Sequence, residues 1–153
     1  MNRYRIAIFA SGEGSNAENI TNYFRDYDSI NVVLIVSNRA DVGVIQRAKR
    51  LKVPYLISPR DELNSLKFLH LLERQNINII ILAGFLLKIP IHLITAFANR
   101  IINIHPALLP KYGGKGMYGN KIHKAVLSNK EKESGITIHL VNEHYDDGEI
   151  LFQ

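Results

Sequence analysis

Four apolar runs of strand length punctuate the chain: YRIAIFAS at 4–11, NVVLIVSN at 31–38, NINIIILAG at 76–84 and RIINIHP at 100–106. Each stays apolar over consecutive positions, the pattern of a parallel strand covered on both faces. ITIHLVN at 136–142 alternates more and holds His139 among apolar neighbours, and EILFQ at 149–153 adds a last strand. VPYLISP at 53–59 suggests a further short strand beside Pro54. Between these runs the spacing predicts helices at 15–27, 43–51, 63–75, 91–97 and 121–129. Strands alternating with helices predict an α/β fold, a doubly wound, mostly parallel sheet with helices on both faces and right-handed crossovers.

The 153 residues suit one domain, 1–153, large enough to bury about two thirds of its unfolded surface without a staple. Absence of cysteine excludes disulfides, thiolate metal sites and cysteine nucleophiles, and fits a cytoplasmic location. The net charge of +5 allows nucleic acid or small anions as partners. Most basic residues are scattered. The one cluster, RAKRLK at 47–52, has the spacing of a solvated helix face, which argues against a nucleic-acid patch. No apolar stretch is long enough for a signal peptide or a membrane span, so no membrane partner is expected.

SGEGSNA at 11–17 follows the first strand and opens the first helix. Gly12, Gly14 and Ala17 fit the spacing of an anion-cradling turn, with Ser15 and Asn16 as side-chain donors at a positive helix end. A plain strand-to-helix turn is the competing reading. A dinucleotide site would need an acid ending the second strand, where Asn38 and Arg39 stand and Asp41 comes late. That leaves a small phosphorylated ligand.

Asn103 and His105 stand two apart at the carboxyl end of a predicted strand, so their side chains share a side. A carboxamide can hold a developing oxyanion and an imidazole can move protons near neutral pH. The loop PALLPKYGG that follows is stiffened by prolines and opened by glycines. No second ligand sits at metal spacing, so no metal is expected. NEHYDDGE at 142–149 brings Glu143, His144, Asp146, Asp147 and Glu149 to a strand end, where one acid could orient His105. Spacing alone does not choose which. His70, His92 and His123 read as surface or boundary histidines. His139 reads equally well as a site-lining residue or a satisfied core histidine. Tyr112 and Tyr118 read as packing for the glycine loop.

SGEGSN, VSNRADVG, LAGFLLKIP, INIHPALLPKYGGKGMYG and SGITIHLVNEHYDDGEILFQ occur in that order across nearly the whole chain. Together they resemble the 10-formyltetrahydrofolate-dependent formyltransferases, a family with a Rossmann-like fold. The first loop favours the branch that acts on glycinamide ribonucleotide. The resemblance implies transfer of a formyl group from 10-formyltetrahydrofolate, as co-substrate, to the amine of glycinamide ribonucleotide in de novo purine biosynthesis. It implies Asn103, His105 and Asp146 as the catalytic set, and Gly14, Ser15 and Asn16 for the substrate phosphate. For the folate it implies Arg60 at the glutamate tail, Phe85, Leu86, Leu87 and Ile89 along the body, and Val141, Asn142, Glu143, His144 and Tyr145 in the pterin turn. It also implies a cis peptide before Pro110.

The family continues past the last strand with a helix that packs on the sheet. A chain ending at Gln153 is expected to lack that segment, and an apolar face left uncovered there would favour a homodimer. A formyltetrahydrofolate deformylase, a methionyl-tRNA formyltransferase, a catalytically silent nucleotide-binding module and a dehydrogenase using NAD are the competing readings. The first two differ in acceptor, the module would ignore folates, and the dehydrogenase lacks its ribose acid.

Overall fold

A computed structural model describes residues 4–153. Seven strands form one sheet in the order β3-β2-β1-β4-β5-β6-β7. They are β1 (Tyr4–Phe9), β2 (Ile30–Ser37), β3 (Tyr55–Ile57), β4 (Ile79–Leu82), β5 (Ile101–His105), β6 (Thr137–Leu140) and β7 (Ile150–Phe152). The first five pair in parallel, β6 pairs antiparallel with β5, and β7 pairs antiparallel with β6. The sheet is thus mostly parallel, as the consecutive apolar runs imply.

Alternate residues of β1 serve opposite faces. Ile6, Ile8 and Ala10 pack with Ala17 of α1 (Ser15–Tyr23) and with Val44, Ile45 and Ala48 of α2 (Gly43–Leu51). Ala7 and Phe9 pack on the other face with Leu63 of α3 (Arg60–Leu63), Phe68 and Leu72 of α4 (Leu66–Arg74), and Leu93 of α5 (Ile91–Ala96). A last helix, α6 (Asn120–Ser128), packs Ile122 and Val126 on Ala107 beyond β5.

Two expected helices need correction. The one predicted over 63–75 is broken into α3 and α4, because the Ser65 hydroxyl accepts from the Phe68 N–H at 3.3 Å and caps a fresh helix. The one predicted over 15–27 ends at Tyr23, and its last residues form turns. The basic cluster lies on α2, where Arg47 and Arg50 both pair with Glu18 of α1, a solvated ion-pair face as expected. The Leu109–Pro110 peptide is cis.

Candidate active site

Strand pairing lines up Val36, Phe9, Leu82 and Asn103 in one row, continued by His139 and Ile150. Val36, Phe9 and Leu82 belong to the core on the α4–α5 face. At Asn103 and His139 the row turns polar, next to the carboxyl ends of the parallel strands. Two strand spacings, about 10 Å, separate the end of β1 from Asn103. The loop carrying Gly14 leaves β1 just beyond Phe9, so the two features share one sheet edge, where open α/β sheets bind ligands.

Asp146 lies between two buried imidazoles. Its Oδ1 is 3.6 Å from His105 Nδ1 and 3.6 Å from His139 Nε2, and the two histidine side chains are 4% and 3% exposed. Its Oδ2 accepts from the Gly114 N–H at 2.8 Å. His105 Nε2 stands 2.9 Å from the Tyr112 carbonyl oxygen. A carbonyl only accepts, so Nε2 carries a proton and Nδ1 is the nitrogen left to exchange one. His139 Nδ1 donates to the Leu140 carbonyl at 2.8 Å, which leaves Nε2 facing both Asp146 and the Asn103 amide nitrogen at 3.0 Å. Neutral His139 accepts from that amide, whereas charged His139 needs the amide turned to offer its oxygen. The charge on His139 and the orientation of Asn103 are therefore coupled.

Burial disfavours the ionised form of Asp146, yet the His139 contact, the Gly114 N–H and the His105 ring outweigh it and hold its pKa below the ordinary carboxylate value. Burial likewise disfavours charge on His139, and the Asp146 contact and Leu140 carbonyl reverse that, raising its pKa. A lowered Asp stabilises the fold above its unfolded pKa, about 3.9, and loses this as pH falls through the folded value. A raised His stabilises below about 6.5 and loses this as pH rises through the folded value. The stability that Asp146→Asn removes is therefore expected to be greatest between about pH 4 and 6.5 and to shrink on either side. Denaturant titrations of both proteins across pH check this; a difference that keeps growing above pH 7 would contradict it.

Gly14 adopts φ 75°, and a Cβ there would overlap Val44 of α2, so both backbone and packing require glycine. Ser15 and Asn16 are exposed on the first turn of α1, whose N–H groups have no intrahelical partner. Arg47 Nε donates to the Glu13 carbonyl at 2.7 Å and braces this loop. Sequence reasoning passed over Ser11. Its hydroxyl donates to Asn38 Oδ1 at 2.5 Å and accepts from the Leu86 N–H at 2.9 Å, fastening three strand-end loops together. Asn38, noted only as a missing acid, is part of that fastening.

A cleft of about 370 Å³ brings together Arg60, Leu87, Ile89 and Glu143 of the expected folate residues, and adds Lys88. Lys88, the lone cation in an apolar stretch, was missed; its ammonium lies 5.7 Å from the centre of the Tyr145 ring. The other expected folate residues lie off the cleft wall. Phe85 packs edge-on against Phe9 at 5.3 Å, and Leu86 is 47% exposed. Val141 packs against the core, and Asn142 Oδ1 accepts from the His144 N–H at 2.9 Å, forming the turn. His70 and His123 are exposed, as read from the sequence. Among the described residues no three His, Cys, Asp or Glu side chains are grouped to hold a metal ion.

The model of the family described as "Formyl transferase" matches residues 4–153. The chain is 45% identical, over 99% of its length and 54% of the relative's, to the chloroplastic phosphoribosylglycinamide formyltransferase of Arabidopsis thaliana. It is 32% identical to phosphoribosylglycinamide formyltransferase of Haemophilus influenzae, over 97% of its own length and 71% of the relative's. The solved glycinamide ribonucleotide transformylase 1 of Symbiobacterium toebii superposes with a TM-score of 0.87 at 30% identity, over 99% of this chain and 72% of that one. The chain thus spans about half the length of the plant relatives it matches. With the family model covering all the described residues, the chain belongs to the formyl transferase family.

Proposed function

We propose that this chain transfers the formyl group of 10-formyltetrahydrofolate to the primary amine of glycinamide ribonucleotide. One observation carries the reading. An amide and an imidazole two residues apart on β5 meet a carboxylate from the β6–β7 turn at the strand-end edge that also bears a glycine turn and an open helix N terminus. The relatives named above, which carry the name of this activity, support it.

In this reading the amine nitrogen attacks the formyl carbon, and the carbonyl electron pair moves to oxygen. An Asn103 N–H donates to that oxyanion. His105, held against Asp146, helps move the proton from the attacking amine to the folate nitrogen as the C–N bond to folate breaks. No covalent enzyme intermediate forms. Holding both substrates in register contributes several kcal/mol more, with about 7–11 kcal/mol as the ceiling for such reactions. The phosphate rests on Gly14, Ser15 and Asn16, and the folate tail on Arg60. Small molecules are the partners here; a homodimer, the absence of nucleic acid and a cytoplasmic site of action are expectations of the same proposal. Among the described residues no helix is long and apolar enough to cross a membrane.

Ligand-induced stabilisation tests the reading. Glycinamide ribonucleotide and a non-reactive formyl-folate analogue, each at a hundred times its Kd, are expected to stabilise the fold by about 2.7 kcal/mol. A protein stabilised by nucleotides but indifferent to folates would be a binding module instead. Arg60→Ala is expected to raise KM for formyl-folate about tenfold with kcat unchanged, the loss of one charged hydrogen bond. Steady-state kinetics decide it, and an unchanged KM would remove Arg60 from the folate site.

A further inference from the structure

We propose that Tyr112 is a positioning residue for His105, its hydroxyl clasped so that its own carbonyl holds the proton of the His105 ring. The main chain at Tyr112 is left-handed, φ 58°, a conformation a bulky side chain seldom takes unless something holds it. Two contacts hold it. The phenol donates to Glu131 Oε1 at 2.8 Å and accepts from Asn129 Nδ2 at 2.8 Å. Asn129 caps the C terminus of α6, and the Glu131 N–H donates to the Val126 carbonyl at 3.2 Å, so both come from ordered chain at one helix end.

The clasp reaches the reacting groups in one step. From Tyr112 the carbonyl oxygen meets His105 Nε2 at 2.9 Å. Two residues on, the Gly114 N–H donates to Asp146. Between them, a Cβ on Gly113 would lie 2.7 Å from a Leu109 methyl and 3.2 Å from Asp146 Cβ, so this stretch is wedged against the acid. Residues 112–114 thus hold base and acid together, and the helix end fixes residues 112–114. Releasing the phenol frees Tyr112 to leave the left-handed region. Its carbonyl then swings off Nε2, and the neutral ring no longer prefers the Nε2–H tautomer that leaves Nδ1 toward Asp146.

Tyr112→Phe removes both hydroxyl contacts and keeps the ring. Nitrogen-15 NMR of the variant is expected to show His105 passing from the Nε2–H tautomer to a mixture. On the formyl-transfer reading, on which the kinetic arm rests, kcat falls about 10- to 100-fold with both KM values within about twofold. Glu131→Gln with Tyr112 intact keeps an acceptor oxygen for the phenol and is expected to retain the wild-type tautomer. Should the phenylalanine variant not fold, Glu131→Ala combined with Asn129→Ala releases the phenol, together with the Lys111–Glu131 ion pair, while every residue of the loop stays in place. An unchanged Nε2–H tautomer in a folded variant would overturn the proposal. So would an unchanged turnover, or a higher one, which would mean that the carbonyl caps the imidazole. Wild-type protein inactive in formyl transfer would sink the functional reading while leaving the tautomer test standing.

Discussion

Replacing Asn103 with alanine is expected to lower the turnover of formyl transfer ~10²- to 10³-fold, the typical loss for one oxyanion donor. Asn103 holds a fixed register position on β5, opposite Leu82 and His139, so its amide is placed by the sheet rather than by a loop. Alanine at this half-buried position removes the donor with little disturbance of the strand. A group that acts only on the developing oxyanion lowers kcat and kcat/KM together. His105→Ala is expected to cost at least as much. The double variant should fall well short of the product of the two, because both serve one transition state. Near-normal turnover in either single variant, with folding checked by circular dichroism, would contradict the assignment.

Gly148→Ala is expected to destabilise the protein by about 3 kcal/mol, the upper range for overpacking. A Cβ at this position would overlap the Leu140 carbonyl, which is main chain and cannot step aside like a flexible side chain. Relief requires opening the β6–β7 connection, where the Leu140 N–H donates to the Glu149 carbonyl at 2.8 Å. For a chain of this size the loss corresponds to a fall in Tm of roughly 6–12 °C. Asp146 lies two residues before Gly148 in the same turn, so activity is expected to fall further than stability alone explains. Calorimetry with turnover measured well below Tm checks both; a Tm within about 2 °C of wild type would show that the turn yields easily.

The sheet was legible because burial on both faces leaves a direct trace in sequence, as in IAIF of β1 and IIIL of β4. The helix break at Ser65 was not, because LNSLKFLH carries apolar spacing straight through it. There a hydroxyl competes locally with the helix, and period alone cannot see that. Asn103 and His105 were legible by their two-residue spacing at a strand end. His139 was only half legible: its place in β6 was readable, but its pairing opposite Asn103 depends on antiparallel register between segments more than thirty residues apart. Ser11 and Tyr112 escaped for a related reason. Ser11 acts through a hydroxyl shared by three loops, and Tyr112 through its main chain, which residue type does not encode. The turn at 142–149 offered several acids, and only Asp146 lies between the two imidazoles.

The most direct measurement is acceptor-dependent loss of the formyl group. The protein is incubated with 10-formyltetrahydrofolate alone, with glycinamide ribonucleotide, or with charged initiator tRNA, and formate and formylated products are counted. One formylated glycinamide ribonucleotide is expected for each folate consumed, with negligible formate when no acceptor is present. Formate released at the same rate with or without acceptor, or formylation of the tRNA alone, would contradict it.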